Sequence, residues 1–191
     1  MKLACARRAG HSAALDLRFL CQWVAFNALF GQWNQALQEP VAENQCWRTF
    51  VVRMVKRDQG GQIATALTHN RPLVMSIFED EFLSRHFWQE PTGKGDGHSR
   101  KTMFNARTWF IERRWLLILE RLFERMHFLC CQMVHGASTF KGSLNRAAID
   151  RCSQAMDHLL RAFLRVWIDF GSDEDWGPLC YPPLKQKAGA R

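Results

Sequence analysis

The stretch Trp115–Gly136, WLLILERLFERMHFLCCQMVHG, decides the fold. Trp115, Ile118, Leu119, Leu122, Met126, Leu129 and Met133 recur at offsets of three and four, which places them along one side of an α-helix. Gly136 follows as a helix stop, because glycine takes the left-handed conformation that ends helices at little cost. At about 100° per residue, His135 falls nearly opposite the apolar stripe, on the side of Glu124, Phe128 and Cys131. The pattern reaches back to about Thr102 and predicts one long helix over 102–134.

A helix so apolar needs helical partners, and the rest of the chain offers them. Residues 13–38 carry two apolar stripes at helical spacing: Leu17, Leu20, Cys21, Val24 and Ala28 on one, Phe19, Trp23, Phe26, Phe30 and Trp33 on the other. Grease on both sides predicts a central, buried helix. Gly31 reads as a tolerated residue or a bend, and Pro40 ends the segment.

A second helix is expected over 41–58, with Cys46, Phe50 and Met54 or Trp47, Val51 and Val55 as alternative faces, closed by Gly60 and Gly61. Shorter helical pieces follow to Trp88, with Pro72 in a first turn. Gln89–Lys101, rich in glycine and charge, reads as a loop. A last long helix is expected over Asn145–Phe170, after a turn that includes Ser138 and Thr139. Pro182 and Pro183 bar further helix. No strand pattern and no repeat stands out, so the class is all-α, a bundle of five to seven helices. The boundaries read as an extension over 1–12, a helical domain over 13–170 and a loop tail over 171–191.

Composition narrows the function. With 12% aromatic residues, the chain of 191 residues is a packed globule and not a disordered segment. Its formal net charge of +8 and pI near 9.5 suit polyanionic partners such as RNA, DNA or nucleotides, although the basic residues are dispersed. The seven cysteines show no C-x-x-C and no ligand spacing, which argues against a disulfide framework and a zinc site. The N-terminus is too short in apolar residues for a signal peptide, and no run approaches the roughly 18 apolar residues of a membrane span. A cytoplasmic protein without membrane contact and without a cofactor is expected.

FLCQWVAFNALFGQWN (Phe19–Asn34), FLSRHFW (Phe82–Trp88), ERLFERMHFLCCQMVHGASTFKGSLNR (Glu120–Arg146) and WGPLCYPP (Trp176–Pro183) together resemble bacterial HEPN-domain proteins. That family carries W-x-A-F-N-A on a first helix, and ends a later one in R-N-Q-L-V-H-G before a small-residue turn and N-R. The resemblance spans residues 17–184, and its specificity lies in the ordered combination of blocks. It implies a helical bundle that dimerises, and a metal-independent ribonuclease centre of toxin–antitoxin and other defence systems. An antitoxin or other defence protein is then an implied partner. The defining motif is an arginine, four to six residues, then a histidine.

Those residue types suit the chemistry. Attack of a ribose 2′-OH on the adjacent phosphate needs a proton acceptor and a donor, which a histidine near neutral pKa can supply. A guanidinium stabilises the charge that builds on the phosphoryl oxygens. By this resemblance His135 is the acid/base group, Gln132 and Gly136 match the motif, and Cys131 stands at the asparagine. Cys130 stands at the arginine, so the motif is half present and catalysis is weakened or lost. Gln132, together with Asn145 and Arg146, which match the family's N-R, is a candidate for substrate contact, with a structural ion pair as the alternative for Arg146. Asn27 is expected to support the His135 turn by hydrogen bonding. The family's nucleotidylated tyrosine is replaced by Ala137. The alternative function is a non-catalytic module that acts by dimerisation or by docking a partner.

Overall fold

The first helix shows how the apolar pattern is used. α1 (Lys2–Phe30) buries Phe19, Trp23, Phe26 and Phe30, while Leu17, Cys21, Val24 and Ala28 on its other side are exposed. It therefore lies at the edge of the bundle, not at its centre as two apolar stripes suggest. The computed structural model describes residues 2–89, 95–136 and 145–177. By length and composition Ala13–Phe30 also meets the requirement for a membrane span, with a mean hydropathy of 1.2, contrary to the expectation from run length. Four aromatic side chains of that window are committed to the protein core.

α1 stops eight residues earlier than its pattern suggests. Gly31 donates to the Asn27 carbonyl at 2.7 Å, and the chain turns into a small antiparallel hairpin, β1 (Trp33–Asn34) with β2 (Glu39–Pro40). The Asn34 side chain accepts from the Ala36 and Leu37 N–H groups at 3.0 and 3.1 Å, closing the turn. Two-residue strands leave no alternating pattern, so the hairpin was not expected.

α2 (Glu43–Arg57) resolves the alternative faces by burying both: Cys46, Phe50 and Met54 together with Trp47 and Val51. Gly61, at φ +65°, turns the chain into α3 (Gln62–His69), and Asp58 accepts from the Gln62 and Ile63 N–H groups. α4 (Arg71–Glu79) has Pro72 in its first turn, as expected. A single 3-10 turn (Glu81–Leu83) and α5 (Arg85–Gln89) follow.

α6 (Gly95–Ile111) begins inside the segment expected to be loop, and the long helix expected over 102–134 is two. Arg113 takes φ +55°, which ends α6 and starts α7 (Trp115–Val134). Neither glycine nor proline marks this break. α8 (Arg146–Phe170) closes the bundle where its pattern predicts. Seven helices of eight residues or more are thus described, and the all-α class holds.

α1, α2, α7 and α8 meet in an aromatic core. Phe26 stacks on Phe123 with centroids 4.4 Å apart, Phe163 lies 6.0 Å from Phe26, and Phe50 meets Phe163 edge-on at 5.5 Å. Trp176, beyond α8, stacks on Trp167 at 4.2 Å beneath the Arg53 guanidinium. Part of the expected tail is therefore docked on the bundle.

Candidate functional site

α7 has a packed side and an open side. His135, exposed, caps its C-terminal end, with its own N–H donating to the Cys131 carbonyl at 2.9 Å. Gly136 follows at φ +79°, a left-handed stop that a side chain would strain. Ser138 and Thr139 lie outside the described residues.

The neighbours of His135 build its frame. Gln132 is buried; its Nε2 donates to the Phe82 carbonyl at 2.9 Å and its Oε1 accepts from Asn145 Nδ2 at 2.7 Å. This bridge joins the 3-10 turn, α7 and the start of α8, with Asn145 itself at φ +59°. Arg146 pairs at 2.5 Å with Asp16 of α1, a carboxylate with no solvent exposure. Of its two readings, phosphate contact and structural ion pair, this geometry matches the second. Asn27 lies half-buried on α1, and its Oδ1 has no hydrogen-bond partner among the described residues. The bond expected from it to the His135 turn is not among those described.

The two cysteines differ in setting and agree in chemistry. Burial above all, then Cys131 and Glu43, pushes the Cys130 thiol up to about 12. Burial likewise raises Cys131, whose Sγ lies 3.7 Å from His127 Nε2. Both stay protonated at neutral pH, so neither is poised as a nucleophile. Cys130 faces the core and supplies no cation where the resemblance implies an arginine.

The open side of α7 leads from His135 to a cleft of about 660 Å³ between α2, α6, α7 and the 3-10 turn with α5. Among the described residues, its walls hold five basic side chains, Arg48, Arg85, Lys101, Arg121 and Arg125, against one carboxylate, Glu124. Arg125 is spent on structure: it is buried and donates to the Ile77 and Asp80 carbonyls, and desolvation lowers it to about 10, still cationic at neutral pH. Arg48 and Arg121 both grip Glu124, at 2.5 and 2.7 Å. Burial alone would raise the Glu124 carboxyl, but hydrogen bonds and charge from Arg48 and Arg121 outweigh it and hold the group below its ordinary range. Arg85 and Lys101 are exposed at the rim.

His127 also lines this cleft. Its Nε2 lies 3.3 Å from Glu43 Oε2, while Glu43 Oε1 accepts from Trp23 Nε1 at 2.9 Å. Arg121 and His127 have five residues between them, inside the family's spacing, although neither belongs to the matching R-N-Q-L-V-H-G block. The spacing of Arg121 and His127 is legible in the sequence, whereas the cleft that they share is not. The two histidines are eight positions apart, about 12 Å along the helix, too far for both to touch one phosphodiester.

Comparison of the chain with family models, with curated proteins and with solved structures finds no match.

Proposed function

We propose that this chain is a HEPN-type RNA-binding protein of metal-independent ribonuclease ancestry, working as a homodimer in a toxin–antitoxin or other defence setting. One observation supports the reading: exposed His135 stands on the same open side of α7 that, further back, lines a cleft with five basic side chains and one carboxylate among the described residues. A single strand laid along that side has its phosphates against cations and one phosphodiester beside an imidazole. His135 then takes the 2′-OH proton as the oxygen attacks phosphorus, the bond to the 5′-oxygen breaks, that oxygen takes a proton from water, and the products are a 2′,3′-cyclic phosphate and a 5′-hydroxyl. Without an arginine at position 130, the phosphoryl charge loses a stabilising donor, worth roughly a hundred- to thousand-fold in rate. Binding is therefore the stronger activity and cleavage the weaker.

Cleavage of a single-stranded RNA by the wild type and by His135→Ala tests the catalytic part. Loss of product in the variant supports it, and undiminished cleavage overturns it. The second reading, an interaction module, is favoured by α1, whose open side exposes Leu17 and Val24 at 53% and 66%. Stoichiometric association with a partner protein and no RNA binding at low salt would decide for that reading.

A further inference from the structure

Glu124 is held as a bound anion is held. Its two oxygens take separate guanidinium groups, Oε1 from Arg48 on α2 and Oε2 from Arg121 one turn earlier on α7. Arg48 is steadied by lying 4.5 Å over the Trp47 ring, so one arm of the clamp is in place before any ligand arrives. Two guanidinium groups converging on neighbouring oxygens are also the arrangement that recognises phosphate. The cleft around them, about 660 Å³, lies within the usual size for small-molecule sites, and Trp109 and Phe128 give it an aromatic wall. Arg85 and Lys101 at the rim are two further cations for a ligand carrying more than one negative charge.

We propose that the cleft is a nucleotide-phosphate site in which the Glu124 carboxylate occupies the phosphate's place until the ligand displaces it. The inference rests on the reading of the open side of α7 as a surface for RNA or nucleotides, and adds to it a defined subsite with an internal competitor. Displacement moves one flexible side chain and leaves both arginines where they are. The ligand is a nucleoside phosphate, either free or as a unit of an RNA strand. A self-competing site binds more weakly than its contacts allow, by the fraction of time the competitor is absent.

Calorimetric titration at low salt with AMP and with a short single-stranded RNA, on wild type, Glu124→Gln, Arg121→Gln and Glu120→Gln, tests this. Glu124→Gln should bind about tenfold tighter and Arg121→Gln about tenfold weaker. Tightening of the AMP arm alone assigns the site to free nucleotide and removes support for the RNA reading; tightening of the RNA arm alone assigns it to a strand. Glu120→Gln removes one charge from the same helix, and equal tightening there would overturn the proposal by showing a net-charge effect only. Binding of AMP and of RNA that are both unchanged in folded Glu124→Gln would overturn it, and RNA binding that persists there would leave the RNA reading intact. Glu124→Asp, which shortens the carboxylate, is the second variant if the first fails to fold; it should bind tighter than wild type, and unchanged binding would overturn the proposal.

Discussion

His135, at the C-terminal cap of α7, and Cys130, five positions earlier, differ in setting: one is exposed and the other faces the core. The exposed residue should be separable from stability: His135→Ala should lower RNA cleavage by a factor of about 10² to 10⁴ while changing unfolding free energy by less than about 0.5 kcal/mol. Denaturant titration alongside the cleavage assay checks both. Arg146 should behave in the opposite way. Because it pairs with a fully buried carboxylate, Arg146→Ala should cost about 2–3 kcal/mol in urea unfolding, whereas a phosphate ligand would lose RNA affinity with little change in stability. Cys130→Arg should raise cleavage above wild type and cost about 1–3 kcal/mol, since a guanidinium overfills a site shaped for a thiol. Unchanged cleavage would mean that more than the arginine is missing. His135 and Gly136 were legible because a helix stop has a sequence signature. The Glu124 clamp was not, because Arg48 joins it from another helix across 76 residues of chain.

At the scale of elements, α1 is the informative case. Both its stripes were legible, but a sequence cannot say which apolar side finds a partner in the same chain. Val24 is 66% exposed, so Val24→Glu should leave the melting temperature within a few degrees of wild type and, where α1 carries the dimer, halve the mass seen by light scattering. A dimer that persists in that variant places the contact elsewhere. The α6–α7 break was missed for a different reason. The apolar period continues through residues 111–115, and the left-handed Arg113 carries no glycine or proline to announce it.

At the scale of the molecule, the packing of α1, α2, α7 and α8 follows from their aromatic residues, and the all-α class could be read from the sequence for that reason. Phe26 sits among Phe30, Phe50, Phe123 and Phe163, so Phe26→Ala should cost about 3–5 kcal/mol by calorimetry. Acid sensitivity should trace in part to Glu124. A carboxyl held below its ordinary value of 4.5 adds stability above that pH and loses it as pH falls through the lowered value, so Glu124→Gln should flatten the acid limb of the stability profile below about pH 4.5. The net charge of +8 was legible at once, but the convergence of several cations on one cleft was not, because Arg48, Arg85, Lys101 and Arg121 come from four helices. The proposed function depends on that convergence. It is tested most directly by the salt dependence of single-stranded RNA binding in the wild type and in the Arg85→Ala/Lys101→Ala double variant. Removal of two phosphate contacts should weaken binding and make the log–log salt slope shallower by about 1.4. Identical slopes, or no binding by the wild type at low salt, would contradict it.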